Sequence, residues 1–350
     1  MFPQNWIEVE VAAKHLITPD IAFLELRNTR ENPLPMFTAG SHIDVEIAPG
    51  LVRQYSLIDG PGDPAHYRIA VLRQQASRGG SAAVHERIRP GDRLRISVPR
   101  NNFALAHGAR RSVLYAGGIG ITPILCMAER LVQMNASFDF HYFARTRTHA
   151  AFLSYIEAGR IAERAHIHFT REEGGRRFDP GRDVPAFEPG SHLYGCGPAA
   201  FIQVVLDGAK LAGWPEECLH RELFTAPDVS QNAKSESFRV RIASTGLTLE
   251  VPPDRTVAQV LIEAGIDLPL SCEQGVCGTC LTRVIDGVPD HRDVFLTEEE
   301  HRRNDQFTPC CSRARTPLLV LDLQRTLLEN GADAPAGRAA RVPPAAATTG

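Results

Sequence analysis

The sequence predicts a multidomain chain: an antiparallel β-barrel, then an α/β domain with a parallel sheet, then a small α+β unit. Three observations lead there. At 350 residues the chain is long enough for two or three domains. Short alternating strands give way near residue 108 to strands that alternate with helices. A polar stretch, APDVSQNAKSES (226–237), then separates off a third unit. The composition is that of ordinary globular protein, 43% hydrophobic and 23% charged, with ample apolar side chains for a core.

The first unit is placed at 1–106. Residues 7–26 alternate apolar and polar as a strand, a turn and a strand would. SHIDVEI, RQYSLI, HYRIAVLR and RLRISVP come next as short strands, punctuated by APG, DGPGDP and RPGD. Within them GGSAAVHERI has helical character. The second unit is placed at 107–228. RRSVLYAGGIGITPILCMAERLVQM reads as strand, Gly-rich turn and helix, and FDFHYFARTRTHAAFLSYIEA repeats the order. AHIHFTRE and SHLYGCGPAAFIQVVLDGAKLAG continue it, as a parallel sheet with helices on its faces requires. Residues 229–237 are expected to be a linker. The third unit, 238–325, opens with the hairpin FRVRIASTGLTLEVPP and the helix TVAQVLIEAG, and PLLVLDL (317–323) closes it as a strand. Residues 326–350 are rich in Ala, Pro and Gly and are expected to be disordered.

A net charge of −3 argues against a nucleic-acid binder. No apolar run approaches the roughly 20 residues that span a bilayer. The N-terminal stretch lacks the basic start and apolar run of a secretory signal. The chain is therefore expected to be cytoplasmic, with no membrane partner, and its cysteines reduced. Clustered cysteines then point to metal rather than disulfides.

Three of the eight cysteines crowd into CEQGVCGTC (272–280). Four residues separate Cys272 from Cys277 and two separate Cys277 from Cys280. C-x4-C-x2-C with a distant fourth Cys is the plant-type [2Fe–2S] spacing. Gly275 and Gly278 permit the unusual backbone angles of a tight loop and leave amides for sulfur. Zinc also takes thiolates, but its structural sites usually pair ligands as CxxC…CxxC. The fourth ligand comes from TPCCSRA, where Cys310 and Cys311 are both candidates on chemistry alone.

YAGGIGITP (115–123) lies just after a strand and opens a helix. Gly117, Gly118 and Gly120 let a phosphate-bearing ligand approach the backbone, and the helix start offers unpaired amides. It is not a full G-x-G-x-x-G, because Thr122 and Pro123 occupy the helix start. YGCGP (194–198) ends a later strand, and two such turns at one sheet edge would frame a crevice. There Cys196 either lies beside a bound ring or simply fills a buried gap. In the barrel, RQYSL (53–57) supplies a cation at Arg53, an aromatic face at Tyr55 and a hydroxyl at Ser56. SRGGS (77–81) precedes a helix, so Gly79 and Gly80 amides with Ser81 suit a phosphate, and Arg78 supplies the countercharge.

These motifs, in this order, resemble the phthalate dioxygenase reductase family, which includes vanillate demethylase reductases. The resemblance covers roughly residues 5–325. It implies an FMN-binding barrel, a NAD-binding α/β domain and a plant-type ferredoxin domain. Arg53, Tyr55 and Ser56 match the flavin motif, and Gly79, Gly80 and Ser81 the segment gripping the FMN phosphate. Gly118, Gly120, Thr122 and Pro123 match the pyridine-nucleotide turn; Arg145, Gly195, Cys196, Gly197 and Pro198 join the cofactor-binding set. HRELF (220–224) matches the end of the nucleotide domain, with Phe224 near the flavin ring. CCSRA matches the family's C-x-S-R, which favours Cys310 as the fourth ligand beside Cys272, Cys277 and Cys280.

Electron counting orders the cofactors. NADH gives two electrons as a hydride, an iron–sulfur cluster accepts one at a time, and a flavin converts between the two. No catalytic acid or base is required of the protein. By resemblance the acceptor is a separate Rieske-type oxygenase that hydroxylates or demethylates an aromatic acid, and the reductase is expected to be a monomer. The chain is not itself that oxygenase, since a Rieske centre needs two Cys and two His. Its one C-x-H, Cys218-Leu219-His220, lacks a downstream partner and reads as a helix-end histidine. A reductase with another acceptor, either a flavin reductase or a carnitine-type monooxygenase reductase, is an alternative, and a stand-alone electron carrier or a zinc module are rival classes. NADH rather than NADPH rests on the resemblance, although Arg145 and Arg147 in ARTRTHAAF could pair with a 2′-phosphate. RDVFLTEEEHRRND (292–305) is either a partner-facing or a merely solvent-facing charged run.

Overall fold

Alternating apolar residues build the first sheet. In the computed structural model, which describes residues 6–30, 32–60, 65–75, 79–224 and 236–323, it has six strands. They are β1 (Ile7–Thr18), β2 (Ile21–Asn28), β3 (His42–Ala48), β4 (Leu51–Ser56), β5 (His66–Leu72) and β6 (Arg93–Ile96). Their order is β4-β3-β6-β1-β2-β5, antiparallel throughout. The edge strands β4 and β5 approach each other, which curls the sheet toward a barrel. Val9 and Val11 of β1 and Leu24 and Leu26 of β2 point inward, as the period of two demands. Helix α1 (Gly80–Glu86) begins after Gly79, whose φ of +87° is a left-handed angle that a side chain would strain. Arg78, residues 229–235 of the expected linker and the expected tail at 326–350 lie outside the described residues.

The second sheet is parallel: β7 (Arg111–Gly117), β8 (Phe138–Ala144), β9 (Ala165–Phe169), β10 (Ser191–Cys196) and β11 (Leu219–Glu222), ordered β11-β10-β7-β8-β9. Its central strand is apolar on both faces, with Val113, Leu114, Tyr115 and Ala116 all buried. That is how a strand covered on both sides reads. Helices α2 (Ile121–Gln133), α3 (Leu153–Ala158), α4 (Pro180–Asp183) and α5 (Ala199–Leu211) supply the cover. Between β9 and β10 the strand–helix alternation thins to the single turn of α4. The chain grows outward from β7 through β8 to β9 and then returns to β7's other side as β10. The switch point of the sheet therefore lies between β7 and β10. His220, expected at a helix end, sits on strand β11 instead. A one-turn 3-10 helix at Glu216–Cys218 ends before it, and pairing with β10 holds the segment extended.

The third unit comprises β12 (Phe238–Ile242), β13 (Thr248–Val251), α6 (Val257–Glu263), β14 (Thr282–Asp286), β15 (Pro289–Asp290), α7 (Glu298–Arg303), β16 (Gln306–Phe307), β17 (Arg313–Ala314) and β18 (Leu318–Leu321). The expected closing strand, β18, lies in the middle of its sheet, parallel to β12 and antiparallel to β14. Both helices start with capping boxes, Thr256 with Gln259 and Thr297 with Glu300. The charged run at 292–305 thus contains a capped helix. Buried Arg313 donates to the carbonyls of Arg255 (2.7 Å), Pro252 (3.0 Å) and Glu236 (3.1 Å) and so closes the unit around its hairpin.

The apolar cores are divided unevenly. One continuous core runs from the first sheet into the second and includes Val9, Phe103, Ile124 and Phe140. A satellite core covers the far face of the parallel sheet. The third unit keeps a core of its own, built from Val240, Leu261, Phe307 and Leu319 among others.

Candidate functional site

A cavity of about 730 Å3 opens where the three sheets meet. From the first sheet, Arg53, Tyr55 and Ser56 of β4 line it, with Gly80 and Ser81 of α1. From the second come Thr122 and the stretch Glu222–Phe224 at the end of β11. From the third come Cys272 and Cys277. Motifs from distant parts of the sequence thus face one space.

The β4 end and the start of α1 fit together closely. A Cβ on Gly80 would come within 2.7 Å of Arg53 Cγ, so the glycine is what lets the arginine lie along the helix start. The Arg53 guanidinium donates to the Val52 carbonyl (2.7 Å) and reaches Glu273 in the cysteine loop at 3.2 Å. Ser81 Oγ accepts from the Gln74 amide at 3.2 Å. Cation, glycine amides and hydroxyl at one helix start are a donor set for an anionic phosphate group, and Tyr55 adds an aromatic wall.

The two Gly-rich turns stand at the C-terminal ends of adjacent strands β7 and β10. They touch through backbone: a Cβ on Gly120 would lie 2.2 Å from the Cys196 carbonyl oxygen. Gly118 has a φ of +54°, and Thr122 Oγ1 donates to the Ile119 carbonyl at 3.1 Å. Pro123 sits in the first turn of α2, where a missing N–H is harmless. Gly195, Cys196, Gly197 and Pro198 do not line the cavity. Cys196 is fully buried in the shared core, and burial pushes its thiol well above the ordinary range. Arg145 is exposed and away from the cavity. Arg147 is engaged with Glu157 at 2.9 Å and stacks 5.2 Å from the Phe169 ring centre.

The four expected ligand sulfurs converge. Cys272 has Cys277 and Cys310 as hydrogen-bonding neighbours, and Cys310 has Cys272, Cys280 and Cys311. This crowding pushes the Cys272 thiol down, and it holds Cys277 and Cys310 far up. Backbone amides of Gln274 and Thr279 donate to Cys272 Sγ (3.3 Å) and Cys277 Sγ (3.4 Å). Gly278 has a φ of +69°, and a Cβ there would strike the Phe295 ring at 2.3 Å. Converging thiols with amides aimed at sulfur suit a thiolate-bound iron–sulfur cluster. Cys311 turns toward Thr308, its Sγ 3.3 Å from Thr308 Oγ1.

Polar contacts hold this loop on the barrel. Fully buried Asp44 of β3 pairs with Arg100 at 2.5 Å and accepts the Ser271 hydroxyl at 2.9 Å, next to Cys272. Arg100 also reaches Thr279 Oγ1 at 3.5 Å, and Asn102 donates to the Cys277 carbonyl at 3.3 Å. No motif marks Asp44, Arg100 or Asn102, because nothing local in SHIDVEI or VPRNNF signals a docking contact.

Glu222 is the other residue that motif reading misses. It lies in HRELF, whose phenylalanine carries the match. Burial pushes its carboxyl up to about 8, and the Ser56 hydroxyl, donating at 3.3 Å, offsets only part of that. A carboxyl raised in the folded state stabilises the fold below its unfolded value near 4.5, and that contribution is lost as pH rises through about 8. The thermal midpoint of the transition that unfolds the first two sheets, where Glu222 lies, should therefore fall between pH 5 and 9. Glu222→Gln, neutral throughout, should flatten that slope, recovering on the order of 2 kcal/mol at pH 9. Parallel slopes for the two proteins in calorimetry would refute the assignment.

Comparison with known proteins agrees with this geometry. The 2Fe-2S iron-sulfur cluster binding domain family matches residues 240–315. The vanillate O-demethylase oxidoreductase of Pseudomonas sp. (strain HR199 / DSM 7063) is 52% identical over 318 residues, 91% of this chain and 100% of that protein. The phthalate 4,5-dioxygenase oxygenase reductase subunit of Pseudomonas putida is 39% identical, over 90% of this chain and 96% of its own. The solved structure of phthalate dioxygenase reductase, described as modular for electron transfer from pyridine nucleotides to [2Fe-2S], superposes with a TM-score of 0.72 at 35% identity. That match covers 91% of this chain and 98% of the other.

Proposed function

From the premise that the chain belongs to the phthalate dioxygenase reductase family, we propose that it is an NADH-dependent oxidoreductase that passes electrons through FMN and a [2Fe-2S] cluster to a separate Rieske-type oxygenase. The acceptor acts on an aromatic acid, and the 52% identity to a vanillate O-demethylase oxidoreductase favours O-demethylation. One observation carries the reading. Arg53, Tyr55, Ser56, Thr122, Phe224, Cys272 and Cys277 line a single cavity, so flavin, nucleotide and cluster residues share one space.

Each group of residues has its own task. Arg53, Tyr55 and Ser56 with Gly79, Gly80 and Ser81 would hold FMN, with Phe224 near its ring. Gly118, Gly120, Thr122 and Pro123, backed by Gly195, Cys196, Gly197 and Pro198, receive the nucleotide. Cys272, Cys277, Cys280 and Cys310 bind the cluster. When bound, these cofactors supply the step from two-electron to one-electron transfer. The protein's own residues position: Arg53 offers countercharge, Asp44 and Arg100 fix the cysteine loop, and Glu222 keeps a proton beside the cavity near neutral pH. NADH is favoured because Arg147 is already paired with Glu157 and stacked on Phe169. Residues 1–106, 107–228 and 238–325 serve as the flavin, nucleotide and ferredoxin domains. Among the described residues no helix is long and apolar enough to cross a membrane. We place the protein in the cytoplasm, working as a monomer.

The test is an anaerobic titration of the purified protein with NADH and then NADPH, with iron, sulfide and flavin assayed. A protein holding FMN and two irons, bleached in both chromophores by NADH and then reoxidised by a vanillate-type oxygenase, supports the reading. Zinc in place of iron, or absence of flavin, would defeat it.

A further inference from the structure

Behind the cysteine loop lies a second group of ligand-type side chains that the electron path does not use. His291 and Asp293 come just after β15, and His301 stands on α7. One donor atom from each lies within 4.8 Å of the other two. His301 Nε2 is 3.3 Å from Asp293 Oδ2, and His291 Nδ1 is 3.7 Å from Asp293 Oδ1. Metal–donor bonds of about 2.0–2.2 Å at tetrahedral angles give donor–donor edges of roughly 3.3–3.6 Å. Each histidine therefore stands near coordination spacing from one oxygen of the carboxylate, His301 from Oδ2 and His291 from Oδ1.

Burial makes the arrangement telling. The Asp293 side chain is 0% exposed and that of His291 8%. Among the described residues, neither ring nitrogen of His291 makes a hydrogen bond of normal geometry; the Asp293 carboxylate and the Asn304 side chain act on it only from longer range, a costly condition for a buried imidazole. The His291 and His301 rings stack with centres 4.3 Å apart, beside the same carboxylate. Asp293 is held in place from outside the group: the Leu296 amide donates to Oδ2 at 2.9 Å and the Ser312 hydroxyl to Oδ1 at 3.3 Å. Hydrogen bonds of this kind orient metal-ligating carboxylates. Asp293 and His301 also line the large cavity, so an ion has a route in and a water has room as a fourth donor.

We propose that His291, Asp293 and His301 form a mononuclear site for a zinc-class divalent cation, distinct from the four cysteines. Two imidazoles and one carboxylate suit zinc, whereas calcium and magnesium call for oxygen donors. The site adjoins the cluster loop: the Val294 amide donates to the Gly275 carbonyl at 3.1 Å. Occupancy would tie the 291–301 segment to that loop.

The experiment uses the full-length holoprotein. It is equilibrated with zinc chloride, desalted, and assayed for zinc, iron and flavin, with affinity read by competition against a fluorescent zinc chelator. The expected result is a single zinc beyond the native iron, with nitrogen and oxygen neighbours in zinc-edge X-ray absorption. His301→Ala and His291→Gln should each weaken binding by at least ~10-fold, with iron and flavin unchanged. His301 is partly exposed, so its variant remains informative should the buried His291 variant fold poorly. No retained zinc, sulfur neighbours in the absorption spectrum, or an affinity unaffected by His301→Ala would each overturn the proposal.

Discussion

Cys310→Ser abolishes the iron–sulfur chromophore, and Cys311→Ser leaves it in place: this is the largest effect expected of any single substitution here. The two thiols are neighbours in sequence but not in surroundings. Both thiols touch each other, but Cys310 also stands among Cys272 and Cys280, while Cys311 is 3.3 Å from Thr308 Oγ1 and lies against Gly275. Losing a direct ligand should exceed the 10–100-fold cost typical of losing a supporting group, so NADH-driven reduction of a one-electron acceptor should fall by about 100-fold or more. Flavin content and flavin reduction by NADH should persist in Cys310→Ser, because Arg53, Tyr55 and Ser56 belong to the barrel and Cys310 to the core of the third unit. Visible spectra and iron analysis of both variants decide it. A cluster retained by Cys310→Ser and lost by Cys311→Ser would reverse the assignment.

Asp44→Ala comes second. It removes the carboxylate that holds Arg100 at 2.5 Å and Ser271 at 2.9 Å. Asp44 has no exposed surface, while the Arg100 side chain is 36% exposed. Breaking a buried pair costs about 3–5 kcal/mol, and water reaching Arg100 places this case near 3 or below. The larger consequence is geometric, since Ser271 precedes Cys272. Rapid-mixing spectra should show flavin reduction by NADH at the wild-type rate and cluster reduction slowed by on the order of 10-fold, as misplacing a loop by a fraction of an ångström would do. Asp44→Asn keeps an acceptor for Ser271 and should recover part of the rate. Equal slowing of both phases would show that Asp44 supports the barrel as a whole rather than the loop.

The sequence is most legible where chemistry forces spacing. C-x4-C-x2-C leaves few alternatives, and Gly120 and Gly278 occupy positions where a close approach leaves no room for a Cβ. The strand patterns of β1–β6 and the alternation of β7 to β11 reflect which faces are covered. The hidden part depends on the meeting of distant segments. Asp44 reads as an ordinary polar position of a strand until Ser271 and Arg100 arrive. Glu222 looks like a strand-end acid until β11 buries it beside Ser56. His220 reads as a helix end because Glu216–Cys218 does form a turn, but pairing with β10 makes Leu219–Glu222 a strand.

The division of the apolar cores has a thermodynamic consequence. The first two sheets share one core, so neither can lose its packing without disturbing the other. The third sheet encloses its own, and hydrogen bonds and ion pairs join it to the barrel. Cooperativity tracks shared packing, so the chain should melt as two folding units rather than three. Heat that loosens the ferredoxin unit need not release the flavin, and a single midpoint would misdescribe the molecule.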